Sequence, residues 1–177
     1  GPLRLQVRSM LCGSTRLNGF LITAAGNDCC AVVERLLREP GVDVNNSDAS
    51  GRTAVGIACT ESHVNVLKQL LDCPRLDPNK KMSFMGDASE SPLQTALQVA
   101  KVKQHDDRSV AVLRLLITHP KVDVNAKIDA NGLSPLGFAI KLNSLPAVKL
   151  LVDHQRVDLN LAMTEYGLTP LHMAGVG

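Results

Sequence analysis

The chain is short of rings. Aromatic residues fill 2% of its 177 positions: Phe20, Phe84, Phe138 and Tyr166, with no tryptophan. A single globule of this size ordinarily anchors its core on more of them, so a core of stacked Leu, Val and Ala is expected instead. An excess of one charge sign is missing too. Nineteen basic and 17 acidic side chains leave a formal net charge of +2, which provides no electrostatic footprint for nucleic acid. No run of 18 apolar residues occurs, so no membrane span is expected. No secretory leader is visible, and Gly1-Pro2 looks like a scar left by a protease, which would hide the native start.

Catalytic and metal signatures are absent as well. There is no G-x-S-x-G, H-E-x-x-H, Walker loop or G-x-G-x-x-G. His63, His105, His119, His154 and His172 show no metal-like pairing. His119 and His154 follow successive Leu-Leu pairs, near helix C-termini, where a positive side chain is favoured. Cys12, Cys29, Cys30, Cys59 and Cys73 are odd in number, and their spacing fits neither a disulfide framework nor a zinc motif. Reduced, buried thiols are the expectation, with a metal or redox role as the alternative. No catalytic residue, metal or cofactor is predicted, and the chain is read as not an enzyme.

What the chain has is repetition. Thr169-Pro170-Leu171-His172-Met173-Ala174 is echoed upstream by Ser134-Pro135-Leu136-Gly137-Phe138-Ala139, Ser91-Pro92-Leu93-Gln94-Thr95-Ala96 and Thr53-Ala54-Val55-Gly56-Ile57-Ala58. Each phrase opens a helix. The hydroxyl can accept from an otherwise unpaired backbone N–H, proline is tolerated at the first helical position, and Ser91 with Gln94 fits a capping box. A second phrase keeps step: Leu36-Leu37, Leu70-Leu71, Leu115-Leu116 and Leu150-Leu151, each followed by a loop ending at Asn45, Asn79, Asn125 or Asn160. The spacing sits in the middle thirties, stretched once between Asn79 and Asn125. A fixed period of that size signals a solenoid of stacked helix pairs. Asp43, Asp123 and Asp158 recur within it, which marks them as scaffold, since a catalytic carboxylate would be singular.

These phrases resemble the ankyrin repeat: a turn, a TPLHxA helix, a second helix ending in Leu-Leu, and a loop closing on D-V-N. The resemblance covers roughly residues 18–177 and implies an all-α ankyrin-repeat solenoid, with about four full repeats and a partial fifth. The repeats fall near 18–45, 46–79, 80–125, 126–160 and 161–177. Residues 1–17 form either an N-terminal cap or the remnant of a preceding repeat, because terminal units must shield their neighbour's apolar face. The fifth repeat stops after its first helix, so the native chain is expected to continue. Val32, Val33, Leu36 and Leu37, and again Leu145, Val148, Leu151 and Val152, have the spacing of one buried face. Repeat three carries two insertions: a longer loop at Lys80–Glu90 with Met82, Phe84 and Met85, and about seven residues around Val102–Arg108. Insertions land in loops, as neutral drift or as partner contacts. Only His172 matches the family's TPLH histidine; Gly56, Gln94 and Gly137 stand in its place. The glycines either permit close helix approach or loosen their repeats.

The resemblance implies a protein-interaction module that binds a partner protein or peptide on its concave face, within a larger cytoplasmic or nuclear protein. The alternative is the recruiting or regulatory arm of a multidomain enzyme or channel. The family's contact positions carry over to Ser47, Ser50, Arg52 and Glu61 in repeat two, together with Ala49 and Thr60. In repeat four they are Ile128, Asn131, Leu133 and Lys141, and in repeat five Met163, Glu165, Tyr166 and Leu168. Ile128, Leu133, Met163, Tyr166 and Leu168 are apolar for turn tips. They are expected to form a C-terminal hot spot or to pack on one another. Asn45 and Asn125 also resemble sites at which an asparaginyl hydroxylase modifies ankyrin repeats.

Overall fold

The computed structural model describes residues 14–84, 88–103, 106–129 and 132–161. Four helix pairs follow one another: α1 (Ser14–Gly26) with α2 (Cys30–Leu37), α3 (Ala54–Glu61) with α4 (Val64–Leu71), α5 (Pro92–Val102) with α6 (Asp107–Thr118), and α7 (Pro135–Lys141) with α8 (Leu145–Val152). The starts follow from capping. Thr53 Oγ1 accepts from Gly56 N at 3.1 Å, Ser91 Oγ from Gln94 N at 3.2 Å, and Ser134 Oγ from Gly137 N at 3.3 Å. Ser91 makes only half of the expected capping box, because the buried Gln94 Oε1 has no hydrogen-bond partner. The first helix begins at Ser14, ahead of the expected boundary at 18.

The helices form two layers. First helices touch first helices along α1, α3, α5 and α7, second helices touch second helices along α2, α4, α6 and α8, and each pair is also packed internally. One continuous apolar cluster threads both layers, from Leu21 through Leu67, Leu97 and Leu113 to Leu151. The reversal between layers is tight. Asp28, Ser62 and Asn143 occupy equivalent positions with φ of 54°, 62° and 51°, a left-handed conformation that side chains rarely adopt. In repeat three the insertion replaces this turn, and Asp106 caps α6 instead, its Oδ1 accepting from Arg108 N at 3.0 Å.

Burial corrects the apolar stripes read from spacing. α4 and α6 have outer neighbours on both sides and bury Leu70, Leu71, Leu116 and Ile117. α2 and α8 each have one outer neighbour among the described residues. They bury Val33, Leu36 and Leu151 but leave Val32, Leu145 and Val152 exposed. The Lys80–Glu90 insertion is a short antiparallel hairpin, β1 (Met82–Phe84) with β2 (Ala88–Glu90), in register Met82↔Glu90, Ser83↔Ser89 and Phe84↔Ala88.

The recurring asparagines stitch the layers lengthwise. Asn45 Nδ2 donates to Arg75 O at 2.8 Å, and its Oδ1 accepts from Asp77 N at 2.7 Å. Asn79 does the same to Lys121 O and Asp123 N, and Asn125 to Arg156 O and Asp158 N. Each amide thus satisfies two backbone groups of the next loop. A cation answers from the opposite direction. Arg75 donates to Val42 O and Leu37 O, Lys121 to Pro74 O, and Arg156 to Val122 O, Ile117 O and His119 O of the preceding repeat. The aspartates act locally: Asp43, Asp77, Asp123 and Asp158 each accept through Oδ1 from the N–H two residues on.

Net worth per hydrogen bond is about 0.5–1.5 kcal/mol, so the two bonds of each asparagine contribute roughly 1–3 kcal/mol. Asn79→Ala and Asn125→Ala are expected to lower the unfolding free energy by that amount in urea titration. Asn65→Ala, an exposed asparagine of α4, should change it by under about 0.5 kcal/mol. Equal losses at all three positions would contradict the stitching role.

Candidate interaction groove

α1 and α3 lie side by side, and an open groove of about 560 Å³ runs between them. One face of α1 supplies Gly19, Ile22, Thr23, Gly26 and Asn27, the recurrence expected of a single helical face. α3 supplies Ile57, Thr60 and Glu61; the turn before it adds Asp48 and Arg52, and β1 adds Met82. Glycine sets the closeness of the two helices. A Cβ on Gly26 would lie 3.2 Å from Ile57 Cγ2.

The turn at 48–52 is built around one carboxylate. Asp48 Oδ1 accepts from Ser50 N at 2.9 Å and Arg52 N at 3.0 Å, and Oδ2 accepts from Arg52 Nε at 2.8 Å. Gly51 closes it at φ +75°. Partial burial alone would raise the Asp48 carboxyl. The Arg52 side chain, aided by the backbone N–H groups of Arg52 and Ser50, reverses this and holds it below the usual aspartate range. Repeat four repeats the design: Asp129 Oδ1 accepts from Leu133 N at 2.8 Å, Lys141 Nζ lies 3.6 Å from Asp129 Oδ2, and Gly132 has φ +72°.

The hairpin docks on repeat two through two glycines. Ser83 N donates to Gly51 O at 3.2 Å, and a Cβ on Gly51 would collide with Ser83 O. A Cβ on Gly56 would overlap Met82 Sδ, and Met82 is buried. Gly56 is therefore a notch for the Met82 side chain: what it admits is a side chain of the hairpin rather than a neighbouring helix. From the longer loop, Met82 of β1 thus lines the groove.

The expected contact residues divide. Arg52 and Glu61 line the groove, and Ser47 and Ser50 are exposed on its turn. Lys141 is exposed beside Asp129. Ile128 and Leu133 are corrected: they are 2% and 3% exposed. They flank the base of their turn, joined by Ile128 N donating to Leu133 O at 2.9 Å, and both belong to the core cluster, so neither offers a face to a partner. Asn131, Met163, Glu165, Tyr166 and Leu168 lie outside the described residues. Asn45 and Asn125 are half-buried, with both amide atoms engaged in the stitch described above. Thr23 and Asn27 were missed; Met82 was named only as part of an insertion that could be drift or a partner contact.

Cys59 is fully buried, and burial pushes its thiol up to about 12. Cys73 is buried, Cys30 half-buried and Cys29 exposed, so the expectation of buried thiols fails at Cys29. His63 Nδ1 lies 2.9 Å from Ala25 O of the preceding repeat. His154 Nδ1 accepts from Arg156 N at 3.3 Å. Among the described residues no group of three or more His, Cys, Asp or Glu could hold a metal ion, and no helix is long and apolar enough to cross a membrane.

Two overlapping stretches, residues 21–128 and 99–176, match the family model described as ankyrin repeats (3 copies). The chain belongs to the ankyrin-repeat family. Domains of this family are generally protein-interaction modules and typically non-enzymatic.

Two outcomes follow. Gly56→Ala should destabilise the fold by about 1–3 kcal/mol, although alanine is the better helix former by about 1 kcal/mol; adding Met82→Ala should recover part of the loss in urea titration. A stabilising Gly56→Ala would remove the notch. The Asp48 carboxyl is held low, so its contribution is complete at neutral pH and above the ordinary aspartate range, and is lost as pH falls through its lowered value. Asp48→Asn should therefore flatten the acid limb of a stability-versus-pH curve, by under about 1 kcal/mol because Arg52 is half-exposed. An unchanged acid limb would contradict this.

Proposed function

We propose that this domain binds a segment of a partner protein along the concave face formed by its turns and first helices, centred on the groove between α1 and α3. The observation that carries the reading is the division of labour in these helices. Ala24, Ala25, Ala54 and Ala58 are spent on the core. Thr23, Asn27, Thr60 and Glu61 are exposed on the groove, where they contribute little to packing. An open, partly polar groove with an apolar floor suits a side-chain-bearing segment better than a small enclosed substrate. Because Ile128 and Leu133 are core residues, the weight placed on the C-terminal half moves to the N-terminal half. Lys141, Ser47 and Ser50 remain candidate rim contacts.

The same reading places the protein in the cytoplasm or nucleus, as one part of a larger chain. Hydroxylation of Asn45 and Asn125 stays a proposal. With both amide atoms engaged, the loop would have to open to meet a hydroxylase, and intact-mass and fragment spectra of protein from cells would show one added oxygen at these positions.

The test blocks the groove without touching the core. Thr23→Arg, on the exposed face of α1, should reduce capture of partner proteins from lysate at least tenfold by quantitative mass spectrometry, with an unchanged helical circular-dichroism spectrum. Lys68→Ala, exposed on α4 in the outer layer, should leave capture unaltered. Equal capture by all three proteins would overturn the reading.

A further inference from the structure

The groove's hydrogen-bonding character is lopsided. The Thr23 hydroxyl donates its proton to Gly19 O at 3.0 Å, and the Thr60 hydroxyl donates to Gly56 O at 3.0 Å. With the proton so committed, each hydroxyl oxygen is left to act as an acceptor. Asn27 Nδ2 donates to Thr23 O at 2.9 Å, which leaves Asn27 Oδ1 as a further acceptor. Glu61 makes no hydrogen bond or ion pair among the described residues and is exposed at the C-terminal end of α3, where the helix dipole adds negative potential. At the other end of α3, Asp48 and Arg52 neutralise each other. One cation already visits this end: Lys103 Nζ lies 3.4 Å from Thr60 O. It shows that the end of α3 accepts an ammonium from outside the helix, and it forms no ion pair with Glu61.

A wall of acceptors with one carboxylate unpaired among the described residues suits a cationic donor. We propose that the groove selects partner segments bearing a basic side chain, arginine in preference to lysine. Its head bonds Glu61, Asn27 and Thr60, and its methylene stem lies on Gly26 and Ile57. Arginine is favoured because its five donors sit in one planar fork, able to reach several acceptors at once, whereas lysine offers a single compact head. The Ile57 side chain, packed against Gly26, gives the stem an apolar surface to lie on. This inference rests on the groove being the partner site, and it adds what the partner must carry.

The experiment is a selection of random peptides displayed on phage against the immobilised chain. Affinities of the selected synthetic peptides are then measured by fluorescence anisotropy. The expected result is enrichment of arginine in the selected peptides. Glu61→Gln should weaken binding about five- to tenfold, and arginine→citrulline in the peptide should do the same. The two changes together should cost little more than either alone, and weakening by added salt should be steeper for the wild type than for Glu61→Gln. Peptides whose affinity ignores Glu61→Gln but falls with Thr23→Arg would overturn the basic-residue inference and leave the groove standing as the binding site. Selected peptides indifferent to both variants, or no selected peptides at all, would overturn the groove as well. Circular dichroism of both variants guards against loss of fold.

Discussion

The fold depends on an asparagine amide that reaches one repeat forward. Helices of 7 to 13 residues are too short to be stable alone, and each pair has two flanks to cover. Packing of Leu67, Leu70, Leu113 and Leu116 supplies the cohesion. Packing alone would not fix how far one pair is shifted against the next. Asn45, Asn79 and Asn125 fix it by bonding a donor and an acceptor of the following loop. Arg75, Lys121 and Arg156 reply with their own bonds to the preceding loop. The interface is reciprocal, and its chemistry is the same at three successive junctions.

That regular frame is what makes the irregular part informative. Repeat two gives up the family's usual helical histidine for Gly56, and repeat three places Met82 in the resulting notch. The exchange brings Met82 of the insertion into the lining of the groove between α1 and α3. Met163 stands at the same offset from Gly137 as Met82 does from Gly56, so the pairing of a helical glycine with a methionine one repeat on is written twice in the sequence. The polar face of the groove exists because the core asks so little of the exposed positions of α1 and α3.

Much of this was legible beforehand. The period, the caps at Thr53, Ser91 and Ser134, and the second helix at Cys30–Leu37 follow from local rules: hydroxyl caps, proline placement and helical spacing. The asparagines announced themselves by recurrence. Their partners did not, because Arg75, Lys121 and Arg156 look like ordinary exposed cations until the loops are stacked. Ile128 and Leu133 were ambiguous for a physical reason, since an apolar residue at a turn can face a partner or fold under its own turn. The groove was hidden because it depends on how α1 is rotated against α3, which spacing within either helix does not reveal. The same limit applies to Val32, Leu145 and Val152, whose exposure is set by the number of outer neighbours.

Native-state hydrogen exchange at the backbone amides of Asp77, Asp123 and Asp158 tests the account most directly, since each donates to an asparagine of the preceding repeat. The account predicts that these loop amides exchange as slowly as amides within α4 and α6, opening only when the neighbouring pair comes apart. Exchange at the rate of free loop amides would mean that the repeats are held by packing alone, and the central claim would fail.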